Sequence, residues 1–567
     1  MVTTSTGTAT DGSTDNCWDV IIVGAGLAGI CLSYHFKQQP TLRFLVLESR
    51  KDVGGMWDEF NFPGLRTDTP APLYQYSFHP LPQSDLTMPT RDEILTYLRD
   101  VVDTYQLRQH MVFNTHVNTA NFDTKSGRWT LSTTATDGRQ VTYRCRFYVN
   151  CVGYFDLYNP HIPNFPGTSK FQGPIVHTNS WSRQDDSQDI DYANKQVLII
   201  GSGSTTVTVA PAIAKQAKHV IVLQRSPGYI GEWPRHYDST SLWSIGSKLY
   251  NAMGVFLKPL ALLLGRMEFQ RANQVALESA RKRMESHQAW GPVQPGESTD
   301  ARIEESQKQI EQVVRRFPNL RRHFTPSYYL FEQRQCFAPD GDYLNDIQSG
   351  KIEIITAEIK NFTPRGVQLQ LLSSDQAEHG PVNNLEKEDR DHKDHVDADV
   401  VVLATGLNLK FMSGIQLFID DQPQNTGECV AYRGGLMMSG IPNLFNIGGY
   451  FKGPYTRRVE LQVPFILNLI KYVKEHNFRS VLPKWTGGAF SDDTIDPTPN
   501  INFLTSAEGH IATTDDWRGP KYVQRDKSAS CKPRVGRTMP WRGGWNYYED
   551  YVEFQKASFN DGAFEYS

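Results

Sequence analysis

Only seven of the 567 residues are cysteine, and no two of them form a CxxC pair or stand at zinc spacing. Cys17, Cys31, Cys145, Cys151, Cys336, Cys429 and Cys531 are scattered, which argues against a disulfide scaffold and against a cysteine metal centre. They read as free thiols in a reducing, cytoplasmic compartment. The CxxxxC pair that a two-dinucleotide disulfide reductase needs is also missing. There is no basic surplus: the formal net charge is −4, which argues against a nucleic-acid binder. Nor is there an unbroken apolar run of spanning length. Residues 245–264 (IGSKLYNAMGVFLKPLALLL) are long enough, but Lys248, Lys258 and Pro259 interrupt them. A buried helix is expected there, with a membrane-surface helix as the alternative. Residues 1–16 are rich in Thr, Ser, Gly and Asp, have no basic start or apolar block, and are expected to be a disordered tail.

What remains is ordinary globular composition, 39% hydrophobic and 21% charged, on a chain long enough for two or three domains. Asp19–Val23 (DVIIV) is an apolar, β-branched run that ends in glycines, as a buried parallel strand does. A helix over Leu27–Gln38 and a strand over Phe44–Leu47 complete one βαβ unit. The pattern recurs about 175 residues later. Gln196–Ile200 (QVLII) runs into glycines, a helical stretch follows through Lys218, and Val220–Leu223 is the next strand. Residues 91–107 have helical periodicity, and 128–152 alternate as strands do. The segment from about 235 to 325 is helix-rich, and 384–397 (NLEKEDRDHKDHVD) is a solvated charged loop. A third strand-like run, Asp399–Ala404, ends in Thr405-Gly406, and the tail from about 484 reads as irregular wrapping. The fold class is α/β, with two Rossmann-like dinucleotide-binding domains, a helix-rich insertion and an irregular C-terminal extension.

The first glycine turn is Gly24-Ala25-Gly26-Leu27-Ala28-Gly29. Gly24 permits the tight turn, Gly26 lets backbone approach a pyrophosphate, and Gly29 lets the helix pack closely on the strand. The helix N-terminus offers aligned N–H groups to an anion. Glu48 follows at the end of the second strand, where a carboxylate takes the ribose hydroxyls. The second turn, Gly201-Ser202-Gly203-Ser204-Thr205-Thr206, lacks the third glycine and the acidic partner. Its second strand ends instead in Gln224-Arg225-Ser226. A carboxylate there would repel a 2′-phosphate, whereas Arg225 can pair with it, so NADPH is preferred over NADH. His177 lies between the two turns with no metal or triad partner nearby. Taken alone, it is more often a structural histidine than a catalyst.

Phe171, Gly173, His177 and Trp181 fit FxGxxxHxxxW, and this stretch resembles the fingerprint of Baeyer–Villiger monooxygenases and their flavin-containing monooxygenase relatives. Trp181 leans toward the Baeyer–Villiger side, while Ser182 stands where Pro or Asp is usual. Val53-Gly54-Gly55-Met56-Trp57-Asp58 is similar to the family's flavin loop, with Met56 in place of Thr, and Phe62-Pro63-Gly64-Leu65-Arg66-Thr67-Asp68 to its YPG-R-x-D segment. Gln224-Arg225-Ser226-Pro227 fits, as do Ala404-Thr405-Gly406 and Ser439-Gly440-Ile441-Pro442. Phe331-Glu332-Gln333-Arg334 with Pro339-Asp340-Gly341-Asp342 resembles the ethionamide-activating and long-chain-alkane-linked branch. The chain departs from that branch after Gly449-Tyr450, where Tyr455-Thr456-Arg457-Arg458 replaces the usual Trp before the final helix.

The resemblance implies FAD in domain 17–160 with 396–485, and NADPH in domain 161–235 with 326–395. The helical insertion would then be 236–325 and the C-terminal extension 486–567. It adds Met56, Trp57, Asp58, Arg66, Thr67, Asp68, Tyr74, Val117, Thr405 and Gly406 to the cofactor-binding set. His177 and Trp181 would couple domain movement to cofactor handling. It implies a cycle in which NADPH reduces FAD, O₂ adds at flavin C4a to give a peroxide, and a lipophilic ketone becomes an ester or lactone. Arg334 would stabilise the developing negative charge, and Asp68 would orient Arg334. No metal is expected. Oxidation of sulfur or nitrogen, or hydroxylation, by the same cofactors is the alternative. A binding scaffold without turnover is disfavoured by intact Gly24, Gly26, Gly29, Arg225 and Arg334. The substrate and the oligomeric state are not legible.

Overall fold

Cys17–Val23 forms a strand because its β-branched side chains fit a pleated surface covered on both faces. It lies between Phe44–Leu47 and Gln140–Asn150, parallel to both, with Val20 opposite Phe44 on one side and Phe147 on the other. The computed structural model describes residues 17–81, 86–181, 190–238, 240–253, 258–285, 300–330, 335–370, 393–449, 454–485, 495–496, 535–536 and 547–567. The expected tail 1–16, most of the charged loop 384–397 and most of 486–546 lie outside the described residues.

The first unit is a nine-stranded sheet. Its order runs from Gln422–Pro423 through Gln416–Ile419, Thr115–Asp123, Arg128–Ala135, Gln140–Asn150, Cys17–Val23 and Phe44–Leu47 to Met111–Val112. Leu444–Asn446 pairs alongside Gln140–Asn150. Helix Leu27–Lys37 crosses one face, with Ile30, Leu32 and Phe36 wholly buried. Burial of each such side chain stabilises the unit by about 1.5–3 kcal/mol. Helix Tyr455–Glu475 packs over it.

The second unit is a five-stranded parallel sheet in the order Ile352–Thr356, His219–Gln224, Gln196–Ile200, Val400–Leu403, Ile175–His177. Helix Ser204–Ala214 follows its first glycine turn and ends sooner than the expected Lys218. Val400–Leu403 falls in the stretch 396–485 expected with the first domain, and it pairs inside the second sheet, between Gln196–Ile200 and Ile175–His177. Four successive buried apolar residues suit a strand covered on both faces, and both units have that place to offer.

Two other expectations need revision. Residues 245–264 do not form one buried helix. Helix Leu242–Met253 holds the first part of the stretch and helix Lys258–Glu285 the last part, with Pro259 in its first turn, and Ile245, Leu260 and Leu263 are exposed. The C-terminal extension is not wholly irregular: it ends in helix Tyr547–Gln555 and strand Phe564–Tyr566, which pairs with Val481–Pro483. Aromatic packing of Phe564 against Tyr432 and Phe465 holds that strand down. Among the described residues, no helix is long and apolar enough to cross a membrane.

Candidate active site

Gly24 ends the first strand at φ +104°, and a Cβ there would come within 2.6 Å of the Cys151 carbonyl oxygen. The chain can turn only because this residue is glycine. Gly29 sits one helical turn on, where a Cβ would meet the Gly24 carbonyl oxygen at 1.9 Å, so the helix lies directly against the turn. Gly26 is the residue before helix Leu27–Lys37, and no side chain caps its free N–H groups. The second turn repeats this arrangement. Gly201 has φ +139° with the Ala404 carbonyl oxygen close behind, and Gly203 precedes helix Ser204–Ala214 without a side-chain cap. The buried hydroxyl of Thr206 has no hydrogen-bond partner among the described residues. Two uncapped helix starts, each behind a glycine turn, fit the pyrophosphates of two dinucleotides.

One cleft takes in both turns. Val23, Gly24, Gly26, Leu27 and Ala28 form part of its wall, and Ser204, Thr205 and Thr208 form another part. It holds about 2100 Å³ of space, some of it open to solvent. Glu48 lines it, buried, with its carboxylate accepting the Ala25 N–H at 2.6 Å and the Arg50 N–H at 2.8 Å. The same side chain therefore fixes the glycine turn and faces the cleft. Met56, Trp57, Arg66, Thr67, Asp68, Tyr74, Val117 and Gly406 also line it. Trp57 Nε1 donates to the Tyr74 hydroxyl at 2.7 Å, and burial pushes the Tyr74 phenol up, so it stays neutral.

Other expected residues stand behind the wall. Ala25 and Gly29 pack within it. Asp58 points away, ion-paired with Arg50 at 2.6 Å and Arg99 at 3.6 Å. Ser202, Arg225 and Ser226 sit at the carboxyl edge of the second sheet, outside the cleft lining. Thr405 donates to the His161 carbonyl oxygen at 2.6 Å. His177, at the end of an edge strand, accepts the Asn179 N–H on Nδ1 at 3.0 Å, and its Nε2 lies 3.3 Å from Thr405 Oγ1. With the Thr405 proton engaged by His161, Nε2 must carry the imidazole hydrogen and donate. Burial lowers the His177 pKa to about 4, so the ring is neutral at pH 7. Trp181 stacks on Tyr192 at a ring separation of 6.1 Å within the second unit. Arg334 lies outside the described residues, as do Ser182 and Tyr450. The strand after it, Cys336–Pro339, is described, and Phe337 reaches the cleft.

Several cleft residues carry no motif signal. Arg50, Tyr154, Asn179 and Tyr455 line it from four separate parts of the chain. The Arg50 carbon chain follows Glu48 by two residues and could have been noticed from that spacing. Tyr455 is set by Gly449: a Cβ there would lie 2.2 Å from the Tyr455 ring. Among the described residues no cluster could hold a metal ion, and Cys17, Cys31, Cys145, Cys151, Cys336 and Cys429 are free.

Known proteins agree with this geometry. Residues 18–245 match the family described as flavin-binding monooxygenase-like. The chain is 30% identical over 550 residues to the probable FAD-binding monooxygenase AlmA of Acinetobacter baylyi, covering 97% of this chain and 96% of that protein. Its fold matches the crystal structure of OTEMO in complex with FAD and NADP at a TM-score of 0.67 and 18% identity, over 97% of this chain and 99% of the other. It also matches an open crystal structure of cyclohexanone monooxygenase at 0.66 and 21% identity, over 97% and 100%. A two-dinucleotide fold, an FAD-type glycine turn and full-length similarity lead to one conclusion: the chain belongs to the flavin-binding monooxygenase family.

Proposed function

We propose that this monooxygenase binds FAD on the nine-stranded unit and NADPH on the five-stranded unit, and inserts one oxygen atom of O₂ into a lipophilic ketone to give an ester or lactone. One observation carries the reading: a single cleft is walled by Gly24 and Gly26 from one glycine turn and by Ser204 and Thr205 from the other. Two cofactors in those places would meet in one space. Bound FAD, once reduced by NADPH, supplies the activated oxygen. The protein's part is to bind, orient and exclude water.

In this reading Gly24 to Gly29 cradle the FAD pyrophosphate and Glu48 takes its ribose. Met56, Trp57, Thr67, Tyr74, Val117 and Gly406 shape the flavin bed, with Asp58 and Thr405 bracing it from behind. Gly201 to Thr206 cradle the NADPH pyrophosphate, and Arg225 with Ser226 takes the 2′-phosphate. Arg334 is the catalytic residue, placing positive charge where negative charge develops on the reacting oxygen. Asp68, on the cleft wall, is its positioning residue. Aromatic side chains on that wall, Phe60, Phe62, Phe155, Phe337 and Tyr455 among them, favour an apolar substrate. The likeness to cyclohexanone monooxygenase supports a carbonyl as the group attacked.

The test is a panel of ketones, sulfides and alkanes offered to the purified holoprotein with NADPH, read by product mass. Esters one oxygen heavier than the ketones are expected. Sulfoxides or alcohols with no ester would assign the alternative chemistry. In the same assay Arg334→Ala is expected to keep NADPH-driven flavin bleaching and lose ester formation. Unchanged ester yield would remove Arg334 from the mechanism.

A further inference from the structure

Asp342 is the first residue of helix Asp342–Gln348, which packs on the five-stranded unit. Its side chain is 17% exposed and faces two arginines. Arg66, on the cleft wall of the nine-stranded unit, approaches it with Nη1 at 3.4 Å from Oδ2 and Nη2 at 3.5 Å from Oδ1. Arg235, at the end of the segment leading out of the second sheet, reaches Oδ2 with Nη2 at 3.0 Å. Arg235 also touches Asp340, by its backbone N–H at 2.8 Å and by Nε at 3.6 Å.

The backbone reinforces the crossing. Thr87 N–H donates to the Arg235 carbonyl oxygen at 2.8 Å, and Leu86 bridges His236. On the other side, Arg66 bridges Thr90, and Thr67 N–H donates to the Pro89 carbonyl oxygen at 3.0 Å. The flavin-side loop 65–69, the segment 86–90, residues 234–236 and the start of helix Asp342–Gln348 thus form one contact line between the units. Within it, Asp342 is contacted by arginines from both sides. Burial pulls the Arg66 pKa down and Asp342 opposes that pull, as expected where a half-buried cation depends on its counter-ion.

We propose that Asp342 is a positioning residue for hydride transfer: it clasps Arg66 on the cleft wall to the five-stranded unit, and so sets how the nicotinamide meets the flavin. This rests on the reading that NADPH binds the five-stranded unit. Hydride transfer is sensitive to such alignment, since a displacement of about 1 Å can cost on the order of a hundredfold in rate.

The experiment is anaerobic reduction of the FAD-loaded protein, followed by flavin bleaching, with NADPH and separately with dithionite. Asp342 Oδ1 also accepts the Tyr343 N–H at 2.8 Å, a bond that the side-chain oxygen of asparagine can accept as well. Asp342→Asn therefore removes the charge and can keep that hydrogen bond. It is expected to slow reduction by NADPH about tenfold or more, with FAD content and reduction by dithionite unchanged. Asp342→Glu, which keeps the charge, is expected to recover most of the NADPH rate. Reduction of Asp342→Asn by NADPH at the wild-type rate would overturn the proposal, and so would parallel loss of FAD and of both reductions. If Asp342→Asn does not fold, Arg235→Gln loosens the same clasp from its exposed side. Slower reduction by NADPH alone is expected of it, and an unchanged rate overturns the proposal. A wild-type flavin that dithionite bleaches and NADPH does not would sink the NADPH reading, and this inference with it.

Discussion

Arg225 directly follows strand His219–Gln224, whose last residue, Gln224, has its amide tied to Thr356 Oγ1 at 3.0 Å and to the His323 carbonyl oxygen at 2.8 Å. That anchoring fixes where the following side chain begins. If Arg225 takes the 2′-phosphate, its loss removes a charge-assisted hydrogen bond worth about 1.5–3 kcal/mol. Arg225→Ala is then expected to raise the half-saturating NADPH concentration roughly tenfold to a hundredfold and to leave that for NADH nearly unchanged. Equal effects on both nucleotides would show that Arg225 does not read the phosphate. The glycines and Glu48 were legible in the sequence because their chemistry is local: one turn, one strand end, one spacing. The sequence could not show that Glu48 also holds the Ala25 N–H, nor that Tyr154, Asn179 and Tyr455 share a wall with Gly24. Glu48 and Ala25 are 23 positions apart, and Tyr154, Asn179 and Tyr455 lie 130, 155 and 431 positions from Gly24, so no local pattern encodes them.

Elements follow the same division. Helix Arg91–Thr104 was visible from its periodicity, and its start is a complete capping box. Thr90 N–H donates to Glu93 Oε2 at 2.8 Å while the Thr90 side chain accepts the Glu93 N–H. Thr90→Ala is expected to cost about 1 kcal/mol, seen as a lower urea midpoint at unchanged slope. No shift in the midpoint would mean that packing of Ile94, Leu98 and Val101 alone sets the helix. Strand Val400–Leu403 shows what periodicity misses. An apolar run of this kind announces a strand buried on both faces. It does not say which of two parallel sheets receives it, because that depends on pairing with Gln196–Ile200 across about 200 residues of chain. Residues 245–264 mislead for a related reason: hydropathy registers the apolar content, but not that Ile245, Leu260 and Leu263 face outward.

At the scale of the whole molecule, His177 joins the second sheet to the Thr405–His161 crossing and must stay neutral to do so. Its folded pKa of about 4 lies below the ordinary 6.5, first because of burial. The unfolded chain therefore takes up a proton that the folded one refuses. The stabilisation is complete above about pH 6.5 and is lost as the pH falls toward 4, by roughly 3 kcal/mol in all. Urea midpoints at pH 7 and pH 5 measure it. His177→Gln is expected to flatten the drop between them, and an identical drop in the variant would place the acid sensitivity elsewhere.

The whole-molecule claim is that two dinucleotide sites open on one cleft so that reduced flavin can oxygenate a ketone there. The most direct measurement is turnover of a lipophilic ketone with NADPH under heavy-isotope O₂, with fragmentation mass spectrometry of the product. The predicted result is an ester or lactone carrying one heavy atom in the bridging oxygen, with the carbonyl oxygen unlabelled. NADPH consumed with the heavy oxygen recovered only in peroxide or water, whichever ketone is offered, would contradict it.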